Sequence, residues 1–218
     1  MTLCVLPGFL QTLMGYNAQL AGLSLTSRAL SCIVFMVLVS KLCQLIDNRI
    51  IAAIGFILLF ISTFSFTKLN LGVSFEYFII PNIILGAGIM FSFIPITKLA
   101  LATVEKEKLA VAAGLHSLSK CVVTAFTISI TNALVIGLSQ VHQNYLVSNL
   151  SKLNTIFTLK SAALGAKLSS HLPELIAYKK ANGLIYKQML IQAKLLSYVD
   201  IFSLFALLCF IFIPLCFL

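Results

Sequence analysis

Leu85-Gly86-Ala87-Gly88-Ile89-Met90-Phe91-Ser92-Phe93-Ile94-Pro95 lies mid-chain inside a long apolar segment. Its two glycines, two residues apart, let another backbone approach closely, against a cost of about 1 kcal/mol each relative to alanine in a helix. Pro95 removes a backbone donor, which leaves the Phe91 carbonyl without its usual partner and kinks a helix. Kinked, glycine-bearing helices occur in membranes where they face protein or a water-filled path, and transporters use them in that way. Two readings follow for Gly86, Gly88 and Pro95: a tightly packed helix with no moving part, or one wall of a path through the membrane.

Outward from this stretch, composition selects the solvent. The chain has 218 residues, 60% hydrophobic and 10% charged, with a mean hydropathy of +1.07. A soluble domain carries about 25% charged residues. A core of this length could not hide so much apolar surface from water, so the chain is read as an all-α integral membrane protein with the lipid bilayer as its partner. The formal charge of +9 does not indicate nucleic acid, because seven of the fifteen basic residues are spread through one connecting segment without an arginine-rich or aromatic-interleaved patch. The six cysteines fall within or at the ends of apolar segments with no C-x-x-C pair, and read as small apolar packers, with neither a disulfide framework nor a metal site expected. No nucleophile elbow, metalloprotease or phosphate-loop motif is present, so no catalytic residue and no cofactor are assigned.

A helix needs about 20 apolar residues to cross the hydrocarbon. Residues 1–13 are apolar but too short, and resemble the second half of a spanning helix. Five full spans are expected at about 20–40, 50–67, 77–100, 110–138 and 197–218, with one membrane domain over 1–218. The connections between them alternate in charge. The second and fourth together hold five Lys or Arg, among them Lys41 and Arg49 beside Asp47, against one in the first and third. Positive charge in short loops marks the cytoplasmic side. The expected topology therefore puts the long connection, about 139–196, outside and the C-terminus in the cytoplasm. Stretches such as Tyr145–Leu153 and Leu184–Leu195, and the helix start at Pro173-Glu174, make that connection amphipathic and helical, lying at the membrane surface or against the bundle.

Polar residues divide the spans. The segments at 50–67 and 201–218 are nearly apolar all round and are expected on the outside of the bundle. Along 110–138, His116, Lys120, Thr124, Thr127 and Thr131 fall within about 80° of one another at 100° per residue. That stripe either faces a wet cavity, or its threonines bond their own i−4 carbonyls while Lys120 reaches the headgroups. A lysine at the bilayer centre costs about 2.5–3.5 kcal/mol on insertion scales. Arg28 and Asp200 are membrane-end charges, read as headgroup anchors or as a pair.

Several of these segments, taken together, resemble one family. Leu6-Pro7-Gly8-Phe9-Leu10-Gln11-Thr12-Leu13-Met14-Gly15-Tyr16 with Ala21-Gly22-Leu23, the Gly86–Pro95 helix, Leu99–Thr103 with Glu107-Lys108-Leu109 and Ala113-Gly114-Leu115, and Ser197-Tyr198-Val199-Asp200-Ile201-Phe202 keep the order of motifs found in fourteen-span drug:proton antiporters of the major facilitator superfamily, the EmrB/QacA type. The resemblance covers nearly the whole chain and is to the C-terminal part of such a protein.

It implies a truncated six-helix bundle, five full spans plus half of one, whose fourth helix lines a central cavity and whose fifth meets a second bundle. It further implies proton-coupled export of amphipathic or toxic compounds across the bacterial inner membrane, a missing N-terminal six-helix bundle and a periplasmic adaptor as partners, and inactivity of this chain alone. A non-transporting membrane subunit or adaptor, and a decayed gene fragment, are the alternative readings. Departures from the family pattern fall at Gln44 and Leu45, where acidic and basic residues are usual, at Ser27 in place of proline, and at Lys120 in place of arginine.

Overall fold

In hydrocarbon every backbone N–H and C=O must find a partner within the chain, and an apolar segment does this most simply as a helix. The computed structural model describes residues 2–70, 72–147, 155–169 and 173–217. Its helices are α1 (Thr2–Thr12), α2 (Ala18–Leu45), α3 (Asn48–Thr67), α4 (Ile79–Leu101), α5 (Leu109–Val147), α6 (Thr155–Ser169) and α7 (Glu174–Leu215), with short 3-10 turns at Phe75–Phe78 and Lys106–Lys108. Among the described residues there is no strand, and five helices are long and apolar enough to cross a membrane. The architecture is an all-α membrane bundle.

Two helices outrun the expected spans. At 1.5 Å per residue the 39 residues of α5 and the 42 of α7 extend for about 58 and 63 Å, twice the hydrocarbon thickness. The expected connection at about 139–196 therefore contains the last part of α5, all of α6 and the first half of α7. Position 197 is no helix boundary, because the change there is from polar to apolar and not from helix former to breaker. Pro173 does precede the first turn of α7, as expected. Most of the Tyr145–Leu153 stretch and His171 lie outside the described residues.

The chain divides into two compact units, Met1–Asn132 with Val199–Leu218, and Ala133–Tyr198. In the first, α4 is held between α2 and α3. The Ser31 hydroxyl donates to the Ile83 carbonyl at 2.6 Å, and the rings of Phe35 and Phe91 lie 6.0 Å apart, so α2 and α4 run parallel. The Ser62 hydroxyl donates to the Pro81 carbonyl at 2.7 Å, whereas Gly55, nearer the start of α3, meets Phe91 and Ser92, so α3 and α4 are antiparallel.

Glycines set the spacing. A Cβ on Gly86 would sit 2.6 Å from the Arg28 carbonyl oxygen on α2, and one on Gly88 would sit 2.9 Å from the Leu59 nitrogen on α3. Two residues span about 200° of a helix, so the glycines face opposite neighbours. Gly55 answers from α3, where a Cβ would come within 2.6 Å of the Phe91 carbonyl carbon.

A ladder of rings joins the far face of this layer. Phe66 pairs with Phe202 at 5.2 Å, Phe60 with Phe210 at 5.8 Å and Phe56 with Phe212 at 5.6 Å, which sets the end of α7 antiparallel to α3. The expectation that α3 lies outside thus holds for one face. Ile54, Ile57, Ile61 and Phe64 are exposed, while Ala52, Gly55, Ser62 and Phe66 are buried. The start of α5, up to Ile130, is the exposed helix of this unit.

In the second unit α7 buries Ala177, Ala181, Ile185, Met189 and Ala193 at four-residue intervals. Gln143 of α5 donates to the Tyr186 hydroxyl at 2.9 Å, the Ser161 hydroxyl of α6 donates to Asn182 at 2.6 Å, and Gly165 abuts the Tyr178 ring. Seven lysines against one glutamate make the sequence of this segment basic.

These contacts separate two classes of glycine. Gly55→Ala and Gly88→Ala force α4 away from α3, and each is expected to lower stability by about 1–3 kcal/mol. Gly114 and Gly137 have nothing within reach of a Cβ, and alanine there is expected to leave thermal unfolding in detergent unchanged or slightly raised.

Candidate functional site

Gly86, Gly88 and Pro95 are all buried, and the two glycines are spent on contacts with α2 and α3. Within this chain their role is close packing. The polar side chains around them make a belt through the bundle: Ser24, Arg28 and Ser31 on α2, Ser62 and Thr63 on α3, Asn82 and Ser92 on α4. An unmade hydrogen bond in an apolar interior costs about 1–3 kcal/mol. The belt answers this largely with backbone carbonyls. Ser24 donates to Ala21 at 2.7 Å, Thr63 to Leu59 at 2.7 Å, and the Asn82 amide to Phe78 at 2.8 Å. The Asn82 carbonyl oxygen and the Ser92 hydroxyl are enclosed without a hydrogen bond.

Arg28 is 5% exposed, so its side chain lies within the helix packing. Asp200 is half-buried on α7. Lys41, Asp47 and Arg49 are exposed at the α2–α3 junction. Asp47, Arg49, Leu99 and Phe217 line an open depression of about 440 Å³, and Asp47 makes no side-chain cap to α3.

On α5 the threonines turn inward on their own helix. Thr124 donates to the Lys120 carbonyl at 2.7 Å and Thr131 to the Thr127 carbonyl at 2.7 Å. Thr131 is buried, and Thr127 and His116 are half-buried. The His116 Nε2 is enclosed without a hydrogen bond. Lys120 has a different partner: its ammonium lies 4.1 Å from the centre of the Phe93 ring on α4. Such a contact contributes about 0.5–2 kcal/mol, more as water is removed. It joins α5 to the helix whose glycines organise the bundle. A crevice of about 390 Å³ adjoins that ring, lined by Phe93, Ile94, Thr97, Lys98, Leu101, Ala102 and Leu109.

Sequence reasoning found Lys120 but not its ring. Phe93 looked like one of 17 phenylalanines in an apolar chain, and nothing local marks it. Asn82 was findable, since an amide inside a span is costly unless it has a partner. Gly55 was findable too, as a lone glycine within an apolar helix. Among the described residues, no three or more His, Cys, Asp or Glu side chains converge as a metal site would require.

No family model matches the chain. Over 165 residues it is 24% identical to the colistin resistance protein EmrB of Acinetobacter baumannii. That alignment covers 76% of this chain and 32% of the other, so the chain spans about a third of the length of this curated relative. With five helices long and apolar enough to cross a membrane, the chain is a multi-pass membrane protein.

The belt offers a paired test. Ser31→Ala removes the hydrogen bond between α2 and α4 and is expected to cost about 1 kcal/mol of stability. Asn82→Leu removes an unsatisfied acceptor along with one local bond, and is expected to leave stability unchanged or raised. Chemical denaturation of the purified chain in mixed micelles measures both.

Proposed function

We propose that the chain is part of the C-terminal bundle of a proton-coupled multidrug efflux transporter of the major facilitator superfamily, of the EmrB/QacA type. The observation that carries this reading is the ordered run of motifs from Leu6 to Phe202, together with the likeness to a colistin resistance protein over 76% of the chain. Export of amphipathic or toxic compounds would proceed by alternating access, two bundles rocking about a site between them.

Rocking requires a bundle that moves as one body. The glycine-spaced layer of α2, α4 and α3 supports that role, because interlocked backbones resist shear. It also requires a face for the other bundle. The start of α5 leaves its side chains largely uncovered and carries His116, Lys120, Thr124 and Thr127, which supports it as that face. The opposing bundle would come from the portion of such a transporter that this chain does not match. The charge of the short connections supports a cytoplasmic C-terminus in the inner membrane, with the long connection at about 139–196 outside and available to a periplasmic adaptor.

The 218-residue chain expressed alone in a susceptible cell is expected to confer no efflux, and co-expression with a chain carrying a first bundle is expected to restore it. Cysteines introduced as Lys120→Cys or Thr127→Cys are expected to crosslink to that first bundle. Robust efflux by the chain alone, or crosslinking only to an unrelated protein, contradicts the proposal.

A further inference from the structure

The crevice beside Phe93 has a chemistry that the transport reading does not use. Its walls are the ends of two membrane helices, with Ile94, Thr97, Leu101 and Ala102 from α4 and its following turn, and Leu109 from the start of α5. The one hydroxyl among them, on Thr97, donates to the Phe93 carbonyl of its own helix at 2.8 Å and has no donor left for a guest. A hydrated ion would therefore lose its water there without compensation, whereas a hydrocarbon chain would lose nothing.

The charges around the crevice are of one sign. Lys98 forms part of its lining, and the Lys120 ammonium sits 4.1 Å above the ring that forms another wall. Neither ammonium has a carboxylate within 4.0 Å among the described residues; the nearby Glu105 is paired with Lys108 at 2.7 Å. The ring satisfies the charge of Lys120 but accepts no conventional hydrogen bond, so its three N–H groups are open to an anionic oxygen. Measured along α4, Lys98 stands about 4–5 Å and Phe93 about 12 Å from the C-terminal end of the helix. A lysine at the depth of Lys98 reaches toward the boundary between acyl chains and headgroups. The crevice is also open at its rim, where Leu109 is exposed.

We propose that this crevice is a binding site for an anionic phospholipid of the surrounding bilayer, with the phosphate at the Lys98 ammonium near the end of α4, within the field of Lys120, and one acyl chain running inward past Thr97 and Ile94. Basic pockets between membrane helices bind anionic headgroups for the same electrostatic reason. The Phe93 ring has a positioning role, since it holds the Lys120 ammonium beside the crevice. The site does not depend on transport, and it is tested by binding alone.

Native mass spectrometry of the full chain, purified and delipidated in detergent, measures the retention of added lipid. The probes are phosphatidylglycerol, phosphatidylcholine with the same acyl chains, and palmitate. One phosphatidylglycerol is expected to bind in preference to phosphatidylcholine. Lys98→Gln and Lys120→Gln are each expected to lower that affinity roughly fivefold, while Lys98→Arg and Lys120→Arg retain it. Lys68→Gln is the control, because Lys68 is another exposed lysine stacked on a ring, 5.6 Å from Phe64, and the apolar crevice of about 380 Å³ beside that ring has no lysine in its lining. Equal binding of both phospholipids by the unaltered chain overturns the proposal whether or not the variants fold. So does an equal loss in Lys68→Gln, which would make the preference a matter of general charge. Palmitate binding as tightly as phosphatidylglycerol, and displacing it, overturns the assignment to a phospholipid.

Discussion

Close approach of backbones is the constraint on which the first unit depends. In lipid there is no hydrophobic gain from pressing one apolar helix against another, so association rests on dispersion contacts and interhelical hydrogen bonds. Both need short distances. Gly86 brings α4 to the carbonyl of Arg28, Gly88 brings it to Leu59, and Gly55 brings α3 to Phe91 and Ser92. Each contact would be closed by a single added methyl group. The glycines cost helix propensity, and the packing they permit offsets it.

That spacing accounts for the polar belt as well. Ser31 and Ser62 reach carbonyls on α4, at Ile83 and Pro81, only because the helix axes are close. Both bonds go to carbonyls near the start of α4, leaving the stretch toward Pro95 bounded by glycines and rings. The start of α5 is held differently. Its hydroxyls at Thr124 and Thr131 are turned onto their own helix, and Lys120 reaches across to the Phe93 ring. One part of the unit is thus interlocked at the backbone, while α5 is attached through side chains that can exchange partners. The proposed transporter half would need that division, a rigid body carrying a face able to meet something else.

Much of the fold was legible in the sequence. Hydropathy located the apolar cores of the spans because 20 residues of Leu, Ile, Val and Phe have one solution in lipid. The Gly86–Gly88 pair announced close packing, but not that the two residues serve different neighbours, which follows only from the 200° between them once both helices are in place. The ends of α5 and α7 were not legible. Their outer halves are rich in Leu, Ala, Lys and Gln, good helix formers whose lower hydropathy reads as a loop when only apolar runs are counted. The candidate site was half legible: the stripe from His116 to Thr131 is a period in the sequence, but the ring under Lys120 belongs to another helix and leaves no local trace. The burial of Arg28, which is 5% exposed, is likewise not visible in a position count along α2.

The parallel register of α2 and α4, fixed by the glycine contact, is tested most directly by crosslinking in the native membrane. Cysteines are placed at Phe35 and Phe91, whose rings lie 6.0 Å apart, in a chain whose native cysteines have been replaced by serine. A short bifunctional thiol reagent is expected to join these two positions rapidly within one chain, and not to join Phe35 to Phe64, which faces outward on α3. Efficient linkage of the Phe35 and Phe64 positions, or none between Phe35 and Phe91, would contradict the arrangement from which the rest of the bundle is built.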